Sequence, residues 1–199
     1  MATLSKFDIC SAALLSFGAR RIASFDETTA EGIVAAGLYD TVIDAEFGRH
    51  RWNFARGWFK LNRVAGVDPG RFTYAYKLPS DCVLLRAVKD ERGEPIDYET
   101  MRGRLIGTSA EAPIAFYTAR IPEVQWPAFF VDLVTQRLAA HFAGGLRKDP
   151  ALRDRLLERI ESPVPPIGAF PMAKKLDEQE QTAPTLPKGP AARAWGGRR

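Results

Sequence analysis

The sequence predicts an α+β protein: mainly an α-helical bundle of about four helices, with an inserted small antiparallel β-sheet or β-ribbon and an extended C-terminal tail. Three observations predict this class. Apolar residues recur at steps of three and four near both ends of residues 1–162, they alternate with polar residues over about 71–121, and seven of the 14 prolines lie in 163–199. We therefore expect a folded body over residues 1–162 and a separate tail over 163–199.

The first two helices are predicted from stripes of apolar side chains. One stripe marks a helix over about residues 4–17 and consists of Leu4, Phe7, Cys10, Leu14 and Phe17. Gly18 is a typical residue for its end. The second helix, over about residues 29–49, is expected to begin at a capping box in which Thr28 and Glu31 each satisfy a free backbone amide of the other.

The β region is predicted from alternation over about residues 71–121. The segment R-F-T-Y-A-Y-K-L, which starts at Arg71, places alternate side chains on opposite faces of a strand. Pro79-Ser80-Asp81 is a turn signal, and C-V-L-L-R-A-V follows as a second strand. The segments E-P-I-D-Y-E, R-L-I-G-T and P-I-A-F-Y-T-A-R-I are typical of further strands.

Two more helices are expected to close the body, over about residues 122–143 and 150–161. Gly144-Gly145 is expected to end the first of them. Asp149, with a proline directly after it, is a typical N-cap for the second.

Composition bounds the class of protein. A chain of 199 residues with 46% hydrophobic residues can bury a core without a metal or a disulfide. Cys10 and Cys82 lie far apart among apolar neighbours, which favours buried free thiols over a bridge between them. No window approaches the roughly 20 apolar residues of a membrane span and the N-terminus lacks a signal-peptide pattern, so we expect no membrane partner and assembly in the cytoplasm.

Sequence motifs for catalysis are missing. His50 and His141 lie far apart and lack the spacing of a zinc site, and neither a nucleotide-binding glycine motif nor G-x-S-x-G occurs. Asp40 and Asp44 share a helix face and would suit a cation, although such pairs usually face solvent. We therefore expect a protein that is not an enzyme and that uses no cofactor.

The stretch R-H-R-W-N-F-A-R-G-W-F-K, residues 49–60, has two interpretations. A nucleic-acid surface would expose its aromatic rings for base stacking beside cations. A structural joint would bury Trp52, Phe54, Trp58 and Phe59 and leave the cations in water. Burial favours the joint, because each large apolar side chain left exposed forfeits about 1.5–3 kcal/mol.

Five segments carry a family resemblance: D-I-C-S-A-A-L-L-S-F-G, R-I-A-S-F-D-E, Y-D-T-V-I-D-A-E-F, R-H-R-W-N-F-A-R and Y-A-Y-K-L-P-S-D-C-V-L-L-R-A-V. Together they resemble the head-tail adaptor (connector) proteins of tailed bacteriophages. Within that class the chain is most similar to the tail tubular protein A type and to the adaptor of gene transfer agents. The resemblance covers roughly residues 4–160, and its most specific part is W-N-F-A followed about 20 residues later by Y-x-L-P-x-D-C.

The resemblance implies a non-enzymatic ring, usually of twelve copies, in the neck of a phage or phage-like particle. Such a ring docks beneath the portal protein, meets a stopper or nozzle ring on the tail side, and continues the DNA channel. Its lumen allows non-specific contacts with DNA. The resemblance assigns framework and subunit-packing roles to Trp52, Asn53, Phe54, Tyr76, Pro79 and Asp81.

The tail over residues 163–199 corresponds by position to the segment with which adaptors grip the portal. It holds six Lys/Arg against three acids, so most of the net charge of +4 lies there. We expect it to be disordered in the free monomer and to order on the portal, and a linker that packs on its own body is the alternative. The expected docking residues are Phe170, Met172, Lys174, Lys175, Leu176, Leu186, Trp195, Arg198 and Arg199.

The alternative function is that of a small nucleic-acid-binding protein. It would use residues 49–60 together with the Arg-rich terminus on RNA or DNA. That alternative predicts binding by the isolated monomer that weakens steeply with salt.

Overall fold

A computed structural model describes residues 5–180 of the chain. Within that part the helices are α1 (Lys6–Leu15), α2 (Ala30–Arg49), α3 (Ala128–Arg147), α4 (Pro150–Glu161) and α5 (Ala169–Gln179). The strands are β1 (Arg56–Lys60), β2 (Asn62–Val64), β3 (Tyr74–Lys77), β4 (Cys82–Lys89), β5 (Glu99–Met101), β6 (Leu105–Thr108) and β7 (Ile114–Ala119). Short 3-10 helices lie at Asn53–Ala55 and Glu123–Gln125.

Two antiparallel sheets follow α2, so the predicted bundle of four helices with one small inserted sheet or ribbon is wrong. One sheet has three strands in the order β1-β7-β4, and the other has four in the order β2-β3-β6-β5. Only Leu61 separates β1 from β2, yet these strands belong to different sheets. The Leu61 amide donates to the Pro113 carbonyl oxygen at 2.9 Å and its side chain is buried, so the chain crosses between the sheets at this residue.

The predicted β region began at about residue 71 and therefore missed β1 and β2. β1 has the sequence R-G-W-F-K and is exposed at four of its five positions, so no alternation of apolar and polar residues marks it. It becomes a strand by pairing with β7, in a register that runs from Arg56 opposite Thr118 to Lys60 opposite Ile114. This strand forms because it pairs with a segment about 60 residues away in the chain, and not because of a local pattern.

The prediction of an extended tail is wrong for residues 169–179, which form α5 and pack on the body. Ala173 is buried in the helical core, and Phe170 packs against that core from its edge. Gly168 is the N-cap of α5, and a Cβ there would lie 2.3 Å from the Ile160 carbonyl oxygen, so the chain turns into α5 at a close approach to the end of α4. Four expected docking residues, Leu186, Trp195, Arg198 and Arg199, lie outside the described residues, as does Leu4.

The helices enclose one hydrophobic core, and the sheets enclose a smaller one. The largest buried side chains of the first are Ile9, Leu14, Tyr39, Ile43, Phe47, Trp52, Phe130, Leu133, Leu138 and Phe142. The second contains Leu61, Tyr76, Cys82, Val88, Ile106, Ala115, Tyr117 and Ala119. Both cysteines are buried free thiols, which confirms that prediction, and burial raises the pKa of Cys10 to about 12.

The first two helices begin at side-chain caps. The side chain of Ser5 and that of Asp8 form a capping box at the start of α1. The predicted box of Thr28 and Glu31 is wrong, because Thr29 is the N-cap of α2 and its hydroxyl accepts a hydrogen bond from the Gly32 amide at 3.1 Å. The prediction for α4 is confirmed, since its N-cap is the aspartate at position 149.

The third helix starts later and ends later than predicted. It begins at Ala128, after a separate 3-10 turn, and it runs through Gly144 and Gly145 to Arg147. A Cβ on Gly144 would lie 3.1 Å from the Cβ of Arg153, so this glycine permits close packing of α4 instead of ending the helix.

Candidate functional site

The first half of the 49–60 stretch is a buried joint. Trp52 is 1% exposed, and its indole nitrogen donates to the Glu46 carbonyl oxygen at 2.8 Å. Its ring centroid lies 5.1 Å from that of Phe130, and the half-buried Phe54 lies 4.9 Å from the same ring. The burial predicted for Trp52 and Phe54 is therefore confirmed.

The second half of the stretch is exposed, so the predicted burial of Trp58 and Phe59 is wrong. Trp58 is 75% exposed and Phe59 is 43% exposed. Gly57 faces Tyr117, and a Cβ there would lie 2.7 Å from that ring, so this face of β1 is the one that packs on the sheet core. Because side chains alternate along a strand, Trp58 points to the opposite face.

Asn53 and Asp177 fasten α5 to this joint. The Asn53 amide donates to both carboxylate oxygens of Asp177, at 2.8 and 3.1 Å, and its side-chain nitrogen donates to the Asp177 carbonyl oxygen at 2.7 Å. Asp177 is fully buried, and His50 Nε2 lies 3.5 Å from its Oδ2. Sequence reasoning missed Asp177, because it lies 124 positions beyond Asn53 and belongs to no motif.

Burial is the largest cause of the pKa shifts of both Asp177 and His50. Burial raises the pKa of Asp177, and the hydrogen bond from the Asn53 amide opposes that shift. Burial likewise lowers the pKa of His50, against the attraction of Asp177. The site therefore favours a neutral imidazole beside the carboxylate.

A buried ion network connects three helices behind the joint. Arg137 Nε on α3 lies 2.7 Å from Glu46 Oε1 on α2, and Arg137 Nη2 donates to Glu161 Oε1 on α4 at 2.5 Å. Arg49 lies 2.7 Å from Glu161 and 3.4 Å from Glu46. Burial raises the pKa of Glu46, whereas the two guanidinium groups outweigh the burial of Glu161 and lower its pKa.

The second motif, Y-x-L-P-x-D-C, is also a joint. Tyr76 is buried, and its hydroxyl donates to the carbonyl oxygens of residues 110 and 111, both at 2.8 Å. The carbonyl oxygen of Pro79 accepts from Arg104 at 3.0 Å. The Asp81 carboxylate accepts from the Tyr117 hydroxyl at 3.3 Å, and its carbonyl oxygen accepts from the Arg120 amide at 2.7 Å.

Arg120 connects this sheet joint to the helices. Its guanidinium pairs with Asp40, at 2.9 Å, and with Asp44 on α2. Both carboxylates face solvent, as expected, and the cation beside them is the Arg120 guanidinium. Among the described residues no group of His, Cys, Asp and Glu could hold a metal ion.

The five expected docking residues within the described range all lie on α5. Phe170 faces the body, with its ring 6.3 Å from that of Trp52 and 4.5 Å below the Arg49 guanidinium. Met172, Lys175 and Leu176 are exposed, and Lys174 lies over the Phe170 ring at 5.8 Å. The structure therefore places Phe170 in the fold and leaves the other side chains of this group at or near the surface.

Comparison with known proteins identifies no family for this chain. No protein-family model matches this chain, and no curated protein matches it. Within residues 5–180, no helix is long and apolar enough to cross a membrane.

Proposed function

We propose that this chain is a head-tail adaptor that forms a ring, of twelve copies, between the portal and the tail of a phage or phage-like particle. The proposal rests on the sequence resemblance. It is supported by the structural role of both motifs that carry the resemblance: W-N-F-A joins α2 to α5, and Y-x-L-P-x-D-C joins the sheets to α2. Both motifs act in packing and neither brings nucleophilic or metal-binding groups together.

The observation that supports a ring is that one copy exposes two different apolar patches. The β1 patch is centred on Phe59, which shares a groove with Val64, Leu78 and Pro79 on an edge strand whose outer side has no partner strand among the described residues. The α5 patch consists of Met172 and Leu176 on α5 and of Ile167 just before it, and all three side chains line one groove. Exposed apolar patches mark interaction surfaces, and a head-to-tail ring needs two different patches on each subunit, whereas a twofold dimer pairs one patch with itself.

Of the two patches, we assign the α5 patch to contact with the portal. It continues directly into residues 181–199, the remainder of the proposed portal-docking segment. Met172 and Leu176 supply apolar contacts, and Lys174 and Lys175 supply positive charge for an acidic rim. Phe170 contributes indirectly, because it holds α5 against Trp52.

The test is to sediment the lysate of a producing culture, cross-link it and locate the chain by mass spectrometry. We expect it to travel with DNA-filled tailed particles, with residues 163–199 cross-linked to the portal. Leu176→Glu should reduce the particle-bound share about tenfold, since burying one Leu contributes roughly 1.5–3 kcal/mol. Arg155→Glu, on an exposed position of α4, is the control and should leave that share unchanged. A chain that stays small and soluble in this experiment would contradict the adaptor role.

A further inference from the structure

One face of the three-stranded sheet, here called the open sheet face, carries cations around two aromatic rings. Arg56, Trp58 and Lys60 alternate along β1 and so share one side of the sheet. In the antiparallel register Trp58 lies directly opposite Phe116 of β7, which places Phe116 on the same side. This face is the one that points away from the sheet core, as the 75% exposure of Trp58 shows.

The neighbouring strand β4 adds two more cations to the open sheet face. Arg86 Nε donates to the hydroxyl of Thr118 at 3.0 Å, and its Nη2 donates to the His50 carbonyl oxygen at 2.9 Å. Lys89 Nζ lies 5.3 Å above the centre of the Phe116 ring. Neither residue belongs to the 49–60 stretch, so the tertiary structure assembles this surface from separate segments.

Most of these cations lack an acidic partner. Arg51, Arg56, Arg86 and Lys89 form no ion pair with a carboxylate of residues 5–180, and Lys60 pairs only with the exposed Glu91. Partial burial and the nearby charge of Arg51 lower the pKa of Arg86, which shows that like charges crowd here. A guanidinium that is partly desolvated without a counter-ion gains from an incoming anion.

The open sheet face continues into a groove of about 530 Å³ next to the end of α5. Arg51, Arg56 and Arg86 line it together with Trp58. Its acidic side chains are Asp177, which is buried and accepts the Asn53 amide, and the exposed Glu178 at the C-terminal end of α5. The groove therefore offers more positive than negative charge, beside a large exposed ring.

We propose that the open sheet face binds the backbone of single-stranded nucleic acid without sequence preference, with Trp58 stacking on a base. Along β1, Arg56, Trp58 and Lys60 follow one another at steps of about 7 Å. A base stacked on Trp58 would therefore lie between two phosphate contacts. Double-stranded nucleic acid offers no free base face to an exposed indole. An acidic protein segment is the competing occupant, but its carboxylates alone would leave Trp58 without a stacking partner.

This inference goes beyond the adaptor role, since it concerns a property of a single copy. The full chain is titrated, as a monomer, into a fluorescein-labelled oligo-dT of about 16 nucleotides, and anisotropy is recorded between about 50 and 200 mM KCl. With four phosphate contacts, the logarithm of the binding constant should fall with the logarithm of salt concentration with a slope of about −3.

Single substitutions separate the contribution of base stacking from that of the phosphate contacts. Trp58→Ala should weaken binding roughly 5- to 150-fold and leave the salt slope unchanged. Arg56→Gln and Lys89→Gln should each reduce the slope by about 0.7. Arg155→Gln removes an exposed cation of α4 and is the matched control, which should change neither quantity.

Three results would overturn the inference. One is the absence of binding at the lowest salt concentration, and another is equal binding by the wild-type chain and Trp58→Ala. The third is displacement of the oligonucleotide by poly-glutamate at equal charge concentration, which would assign the face to an acidic protein. None of these results bears on whether the chain travels with particles, so this inference and the adaptor proposal can fail separately.

Discussion

The buried ion network makes the most demanding prediction, which is the effect of Arg137→Met. Arg137 is 5% exposed and Glu46 is 2% exposed, and one oxygen of Glu46 has no hydrogen-bond partner among the described residues. Met keeps much of the length of the side chain but removes the charge. Glu46 then keeps only the longer contact to Arg49, at 3.4 Å. Breaking one partner of a buried pair costs about 3–5 kcal/mol, so we expect a loss of that size at pH 7.

The pH dependence follows from the pKa of Glu46, which burial already raises above its usual 4.5. Without Arg137 that pKa rises further, because an attracting charge is lost. A carboxyl whose folded-state pKa is raised contributes stability below its unfolded pKa and loses it as the pH rises through the folded pKa. The deficit of Arg137→Met relative to the wild type should therefore shrink as the pH falls from 7 toward about 4.5.

The assay is urea unfolding followed by tryptophan fluorescence, repeated across this pH range. The double variant Arg137→Met with Glu46→Gln should unfold at a higher urea concentration than Arg137→Met alone, because it buries no charge at position 46. Arg155→Gln is the exposed control and should change the free energy of unfolding by less than about 0.5 kcal/mol. A deficit below about 1 kcal/mol, or one that is independent of pH, would refute the reasoning.

Two further predictions compare matched pairs of residues. Gly168→Ala should destabilise the protein and increase amide exchange in α5, since its Cβ would lie 2.3 Å from the Ile160 carbonyl oxygen. Gly37 has open space around it in a helix interior, so Gly37→Ala should stabilise the protein by about 0.5–1 kcal/mol. Equal melting temperatures for the two variants would contradict this prediction. Trp52→Ala should cost about 3–5 kcal/mol in urea unfolding and Trp58→Ala less than about 0.5, and a similar loss for both would show that the indole at 58 is buried in solution.

Local signals predicted a good part of the fold. The helix that begins after Asp149 formed where its N-cap and apolar stripe predicted it, because both signals act within a few turns of one helix. The alternation around Tyr76 likewise predicted a strand, since one side of it faces a core. The same kind of reasoning failed for β1, whose exposed residues carry no period, and for α5, where proline and charge concealed a helix.

Among the residues of the candidate surfaces, too, the local sequence predicted some and missed others. Burial favoured a joint over the whole 49–60 stretch, and this argument was right for Trp52 and wrong for Trp58 and Phe59. Asp177, the partner of Asn53, was not identified, since one acidic residue in a charged segment resembles any solvated carboxylate. Arg86 and Lys89 were also missed, because only the pairing of β4 with β7 brings them beside Trp58.

The sequence by itself predicted where most helices form, the burial of Trp52 and Phe54 and both free thiols, because periodicity, capping and apolar content act locally. The tertiary structure alone decided that Trp58 faces outward, that α5 locks onto Asn53, and that cations from two strands converge on one sheet face. These features depend on which distant segments pair, and register across strands leaves no trace in the local pattern of either segment.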